Sequence, residues 1–360
     1  MKITPQIIKQ TQASLPQGCR FIWMDMARAF AICAVVLIHS VDIFMTGSIP
    51  GSGQWVIFTL FHWIGRLGVP IFLILTGALI LPRAAAMAPL TFYRRRIPQF
   101  AVIAVIYTWG YVFLDSKLFA TPLPPLQQIA DQIIKSRYWP AYHLWYINVI
   151  IALYLAAPFV GRIVERLRTN TIWLVTGLLV AIEIIPSMYH IAVYGGYYNS
   201  RIRETLTLYP VYLLIGYAIV VRGSLASISI KYFAALLPIC VASILAAQSY
   251  LAKNDLNSGD GFMWYNSLLV MIPAILVFLL CKRLYITWNF FARGVEKLAR
   301  ASFGIYLLHL SIVMVLATQS ITWDTSPFTK AIITWLLAMT GSYLIWQGLH
   351  RVPVLRKLVQ

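Results

Sequence analysis

The chain has 360 residues, of which 60% are hydrophobic and 11% charged, and its mean hydropathy is +0.76. Soluble domains carry about 25% charged residues, so this composition excludes an ordinary soluble protein and indicates a polytopic membrane protein. A net charge of +18 would suit nucleic acid, but the basic residues alternate with apolar spans instead of forming one patch or arm. Membrane orientation accounts for them, and nucleic acid is not expected as a partner.

The first twenty residues are polar and mixed, without the apolar core and small-residue cleavage site of a signal peptide, and are expected to form a cytoplasmic segment over 1–20. Ten segments then follow that are long enough to cross about 30 Å of hydrocarbon. They lie near Ala27–Met45, Arg66–Leu81, Ile97–Leu114, His143–Ile163, Thr171–Met188, Leu206–Val221, Ile230–Leu251, Trp264–Cys281, Ser302–Thr318 and Phe328–Leu349. In the second, Pro70 separates the span from an apolar stretch, Gln54–Gly65, that suits an interfacial or re-entrant piece. The expected fold is an all-α polytopic membrane helix bundle of about ten transmembrane helices, one membrane domain over 21–350 with a C-terminal tail over 351–360.

Most of the 29 Lys and Arg collect at one set of helix ends: the N-terminal segment with Arg28, Arg83 with Arg94–Arg96, Arg162 to Arg168, Arg222, Lys231, Lys282 to Arg300, and Arg351 to Lys357. The positive-inside rule makes that side, and with it both termini, cytoplasmic. The loops near Asp115–Tyr142 and Tyr189–Thr205 then face outward. Their aromatic residues, among them Trp139, Tyr142, Trp145, Tyr194, Tyr197 and Tyr198, suit either stacking on sugar rings or an interfacial aromatic belt. Neither CxxC nor metal-ligand spacing relates Cys19, Cys33, Cys240 and Cys281, so no disulfide framework or metal site is expected.

The first span carries the most informative pattern. Arg28 and His39 are eleven residues apart, a rotation of roughly 1100° at about 100° per residue, which is three turns and some 20° more. Both side chains share one face, roughly 16 Å apart along the axis, and Asp25 and Asp42 fall on the same side. Ionisable groups inside a membrane are costly and by default functional. On this topology Arg28 stands at the cytoplasmic mouth, where a guanidinium can hold phosphate, and His39 stands deeper, where an imidazole can exchange a proton with a hydroxyl. Asp42 is a candidate to fix the tautomer of His39. The plainer reading makes Arg28 a positive-inside anchor, Asp25 an N-cap and His39 a packing residue.

The remaining intramembrane polar residues carry the same two readings. Arg66 suits an acyl oxygen or sugar, or snorkels to the interface. His143, at the outer end of the fourth span, suits the acceptor or a bond to a neighbouring helix. His309, mid-way along the ninth span, requires a polar partner. Glu183 shares a face with His190 and has Arg66, Arg201 and Arg203 as candidate partners. The clusters Arg94, Arg95 and Arg96 and Arg293, Lys297 and Arg300 suit a nucleotide's phosphates or orientation alone.

The stretch WMDMARAFAICAVVLIHS resembles the first-helix signature of the integral-membrane acyltransferase family, acyltransferase family 3. RLGVPIFLILTGALIL, FYRRRIP, HLWYINVIIALYLAAP and SFGIYLLHLSIV are similar to its later signatures, in order along nearly the whole chain. Thr76 stands where a serine is common, and Arg94–Arg96 are adjacent where many members space two arginines by two residues. The chain is most similar to the short surface polysaccharide O-acetyltransferases. The resemblance implies transfer of an acyl group, usually acetyl, from cytosolic acyl-CoA to a hydroxyl of a glycan or lipid-linked glycan at a bacterial inner membrane, with His39 as the catalytic histidine and Arg28 its partner in donor engagement. Acetyl-CoA is then a donor substrate, with no bound cofactor. Peptidoglycan, a lipid or a small metabolite are alternative acceptors. A proton-coupled secondary transporter using His39, Glu183 and His309 is the alternative from another class, against which the lack of a sequence repeat counts.

Overall fold

The computed structural model describes residues 22–45, 48–134, 139–195, 204–256, 260–284, 289–319 and 322–359. The expected 1–20 segment, Arg201, Arg203, Tyr197 and Tyr198 lie outside the described residues. The described chain is helical, with no strand among those residues. The helices are α1 (Ile22–Asp42), α2 (Gly53–Arg66), α3 (Gly68–Ala85), α4 (Pro89–Phe119), α5 (Leu126–Ile134), α6 (Trp145–Arg166) and α7 (Thr169–Tyr194). They continue as α8 (Tyr209–Val220), α9 (Ile230–Lys253), α10 (Leu268–Arg283), α11 (Asn289–Gln319), α12 (Pro327–Arg351) and the short α13 (Pro353–Arg356). Among the described residues nine helical runs are long and apolar enough to cross a membrane, and the sixth expected span is a shorter apolar run, Glu204–Val220. The protein is a multi-pass membrane helix bundle.

The second span departs from its expected bounds. Gln54–Gly65 is helical. It forms α2, and with α3 makes one apolar run, Gly53–Ala85. Pro70 cannot donate to the Arg66 carbonyl, yet Leu67 between the two helices keeps helical angles, φ −70° and ψ −19°. The chain therefore passes from α2 to α3 without a loop. The expected outer loop Asp115–Tyr142 likewise contains α5 and the last residues of α4.

The core is organised around α1, which packs against α2, α3, α10, α11 and α12. Lipid tails are as apolar as leucine, so helices in a membrane associate through close fit and buried hydrogen bonds. Both devices are visible here. At Gly65 an added Cβ would lie 2.6 Å from Cβ of Ile38, and at Gly68 it would lie 2.6 Å from the Ala31 carbonyl oxygen. These glycines let the α2–α3 junction lie directly on α1, which brings Arg66 beside the His39 face. Gly77 of α3 and Gly216 of α8 do the same reciprocally: a Cβ at either would run into the other helix's backbone, at Leu213 and Ile74. Aromatic donors then stitch helices to carbonyls: Trp63 Nε1 to Leu269 at 2.7 Å, Tyr212 Oη to Tyr265 at 2.7 Å and Trp335 Nε1 to Cys33 at 3.0 Å.

Several basic residues first read as orientation signals also bond backbone carbonyls, most of them at or just past helix C-terminal ends, with Arg283 bonding the turn between α8 and α9. Arg222 donates to the carbonyls of Val164, Glu165 and Leu167. Lys282 donates to Ile219 at 2.9 Å, Arg283 to Leu225 at 3.0 Å, and Arg162 to Met87 at 2.8 Å. Cations satisfy the unpaired carbonyls and favour the negative end of the dipole at helix C-termini.

The glycine contacts make a direct prediction. Replacing Gly216 by leucine forces backbone apart, with a cost at the upper end of or beyond the 1–3 kcal/mol usual for overpacking. The variant is expected to lose its monodisperse peak in detergent size-exclusion chromatography, while leucine at Gly110, where an added Cβ meets nothing within 4 Å, is expected to retain it.

Candidate active site

The polar face of α1 opens into two adjoining cavities. Near the start of the helix, Arg28 lines a cavity of about 210 Å³ together with Phe72, Thr76, Phe100, Tyr154 and Ser302. Arg28 Nη1 donates to Asp25 Oδ1 at 3.1 Å. Asp25 is buried and Arg28 about a third exposed, so the acid holds the guanidinium at the cavity wall. Near the other end, His39, Asp42 and Arg66 line a cavity of about 230 Å³ with Tyr142, His143 and Asp260. Val35, Val69, Tyr146 and Tyr306 line both. The two spaces therefore follow one another along the Arg28–His39 face of α1.

Around His39 three imidazoles converge from three segments. The ring of His309, on α11, stacks on that of His39 with centroids 5.2 Å apart and planes at 29°. His143, from the 3₁₀ turn Tyr142–Leu144 that precedes α6, sits edge-on to His309 at 5.1 Å and to His39 at 6.3 Å. His309 Nδ1 lies 3.1 Å from the Ile305 carbonyl and 2.8 Å from that of Tyr306. Both partners are acceptors, so Nδ1 carries the proton and the ring presents a neutral Nε2 lone pair. The polar partner that burial demands is thus supplied by the helix's own backbone. Tyr306 Oη fixes the turn by donating to the His143 carbonyl at 2.7 Å.

Asp42 does not serve His39. Its Oδ1 lies 3.1 Å from Nδ1 of His62, and the opposite nitrogen of that ring lies 2.8 Å from Asp260 Oδ1. Nδ1 of His39 has no hydrogen-bond partner among the described residues. The expected tautomer clamp fails because α2 brings a second histidine closer to the carboxylate than the one on its own helix. Asp260 in turn pairs with Arg66, whose guanidinium lies 4.6 Å from the Trp264 ring centroid and 5.7 Å from that of Tyr265. Trp264 is itself held by Nε1 donating to Glu204 Oε1 at 2.9 Å. Burial opposes ionisation of Asp260, but the charges of Arg66 and His62 outweigh it and hold the carboxyl below the usual carboxylate range.

The other candidates divide. Thr76 returns its hydroxyl to the Phe72 carbonyl at 2.8 Å while lining the Arg28 cavity. Glu183 is fully buried in α7 and lines neither cavity, and Arg66 has Asp260 as its carboxylate. Arg95 and Arg96, but not Arg94, line a further cavity of about 280 Å³ with Arg83. Arg293, Lys297 and Arg300 are exposed on α11 and line none of these cavities, and Arg300 pairs with Glu296 on its own helix. His62, Asp260, Glu204 and Arg83 were not foreseen as site residues. His62 carried a signal, standing four residues before Arg66 on one helical face, whereas Asp260 and Glu204 reach the site only through tertiary folding.

Residues 21–347 match the family model described as an acyltransferase domain, acyltransferase family 3. The chain belongs to acyltransferase family 3. No curated protein and no solved structure matches it. Membership makes the protein a membrane acyltransferase.

Removing Asp260 leaves Arg66 and His62 without their shared anion in a mostly buried place. Asp260→Ala is expected to destabilise the protein by about 3 kcal/mol, the lower end of the range for breaking a buried pair because Asp260 retains some solvent contact. Thermal unfolding in detergent would register this, and an unchanged midpoint would remove the ion pair from the site's framework.

Proposed function

We propose that the protein is an O-acyltransferase that moves an acetyl group from cytosolic acetyl-CoA to a hydroxyl of a surface glycan or its lipid-linked precursor. The observation that carries this reading is the adjacency of the Arg28 and His39 cavities along one face of α1. The reading places the basic end of the bundle in the cytosol of a bacterial cell and the His39 end toward the opposite side of the inner membrane. The nucleotide's phosphates are held at the basic end, where Arg83, Arg95 and Arg96 gather around one cavity and Arg28 stands at the next. Guanidinium groups suit this because they bind phosphate through paired donors. The pantetheine arm runs through the largely apolar Arg28 cavity, and its thioester reaches the level of His39.

At that level an acceptor hydroxyl gives its proton to His39, and its oxygen attacks the thioester carbonyl. The carbonyl π electrons move to oxygen, forming a tetrahedral oxyanion for which Arg66 is the nearby cation lining the same cavity. Collapse breaks the C–S bond, and the thiolate takes the proton back from the imidazolium, leaving an ester and free CoA. The reaction balances with no added oxidant or metal. His309 is a positioning residue, because its neutral ring stacks on His39 without placing a second cation beside the imidazolium that forms.

His39→Ala is expected to lower acetyl transfer by at least the roughly 10²–10⁴-fold associated with a general base, with unchanged accumulation in the membrane. Transfer of label from acetyl-CoA to a glycan fraction measures it, and retained transfer would overturn the assignment.

A further inference from the structure

One face of α6 follows both cavities. Tyr146, Ile150 and Tyr154 are spaced by four residues and share that face. Tyr146 lines the His39 and Arg28 cavities, whereas Ile150 and Tyr154 line the Arg28 cavity and not the His39 cavity. Tyr154 therefore stands about 12 Å along the axis from Tyr146, on the side away from His39. Its ring meets that of Phe100, which lines the same cavity, edge-on at 5.3 Å. On its other side Phe92 lies 5.8 Å away and lines the cavity of Arg83, Arg95 and Arg96. Arg83 and Arg96 stand near enough for their charges to act on the Tyr154 hydroxyl.

That hydroxyl is uncommitted. Other tyrosines of the bundle spend the O–H on a carbonyl of a neighbouring segment: Tyr93 on Leu155 at 2.6 Å, Tyr111 on Leu307 at 2.9 Å and Tyr306 on His143 at 2.7 Å. Tyr154 is half-buried, and its Oη has no hydrogen-bond partner among the described residues. Unlike the ring nitrogens of His143, that oxygen is not sealed from the cavity it lines. A phenol has one proton to donate and donates it most strongly to an anionic oxygen. An anion in a largely apolar space needs compensating charge, and this end of the cavity has it. Arg28 lines the same space, the fields of Arg83 and Arg96 reach the hydroxyl, and no Asp or Glu is among the described lining residues. A neutral sugar or an amide at Tyr154 would leave that positive field unused.

We propose that Tyr154 is a donor-binding residue whose hydroxyl hydrogen-bonds the phosphate that joins the pantetheine arm of coenzyme A to its nucleotide. The assignment rests on the acyl-CoA reading above. It sets how far the donor enters: with that phosphate at Tyr154, the arm lies along Ile150 and its sulfur reaches the constriction at Tyr146, where the two cavities meet. Phe92 and Phe100 hold the phenol ring between them and so fix where the hydroxyl stands.

Isothermal titration of coenzyme A into the full chain in lipid nanodiscs tests this without any acyl transfer. Tyr154→Phe keeps the ring and its packing and removes the hydroxyl alone. Affinity for coenzyme A is expected to fall about tenfold, the lower end for a hydrogen bond to a charged group. The same loss is expected with dephospho-coenzyme A and with phosphopantetheine, which keep that phosphate, and no loss with pantetheine, which lacks it. Equal pantetheine binding by the two proteins also shows that the variant is folded. Equal affinity of the two proteins for coenzyme A, a loss that persists undiminished with pantetheine, or no binding of coenzyme A by the wild-type protein would overturn the proposal. Labelled acetyl-CoA separates the two readings. Weakened coenzyme A binding in Tyr154→Phe with no acetyl transferred to glycan by the wild-type protein upholds the donor contact and sinks the glycan reading alone, whereas transfer with equal affinities sinks the Tyr154 assignment alone.

Discussion

A charge placed among lipid-facing helices has to be matched by another charge or a hydrogen bond, and that constraint arranges the centre of this protein. The Asp25–Arg28 pair occupies one end of the α1 polar face, and the chain Asp42, His62, Asp260 and Arg66 occupies the other. Breaking such pairs is costly because it strands a desolvated charge. The glycines at 65 and 68 therefore do more than permit close packing. By laying the α2–α3 junction on α1, they bring His62 and Arg66 beside the carboxylates of Asp42 and Asp260.

The same pairing leaves His39 distinct. Its neighbours include two other imidazoles and Tyr142, while the nearest acid on its own helix is committed to His62. A base clamped by a carboxylate would be more basic, but its conjugate acid would also give up its proton less readily to a departing thiolate. In the proposed reaction this imidazole takes a proton and returns it within one turnover, and Asp42, Arg66 and Asp260 line the same cavity. Arg66 is fixed by Asp260 and by the Trp264 face, so under the proposed mechanism it stands in place before charge develops.

Much of this architecture was legible in the sequence because a membrane simplifies the code. Apolar runs of the right length located the spans, and helical periodicity alone put Arg28 and His39 on one face. The sequence left Gln54–Gly65 before Pro70 open as an interfacial or re-entrant piece, and it is the helix α2, with Leu67 at helical angles between α2 and α3. The basic residues signalled orientation by composition, but not that Arg222 and Lys282 bond the carbonyl ends of neighbouring helices and Arg283 the turn between α8 and α9. The partner of Asp42 was illegible for a different reason. Spacing on one helix favours His39, and only the approach of α2 decides between two histidines. Asp260, in a polar stretch between α9 and α10, carried no pattern at all.

These pairings also bear on how the two substrates of the proposed reaction would meet. The Arg28 cavity is largely apolar and meets the His39 cavity at Val35, Val69, Tyr146 and Tyr306. A flexible pantetheine-like arm can thread such a constriction, whereas hydrated ions crossing it would be stripped of water beside valine side chains, at a cost of several kcal/mol per ion. At the far end the Asp42–His62–Asp260 wall is polar on the side where hydroxyl groups are expected to arrive. In the proposed reaction the apolar cavity admits the donor and the charged wall faces the acceptor, with His39 lining the second of the two cavities. On the proposed reading the single face of α1 supplies a guanidinium for phosphate at one end and a proton acceptor at the other, and the helices packed on it decide what each end can admit.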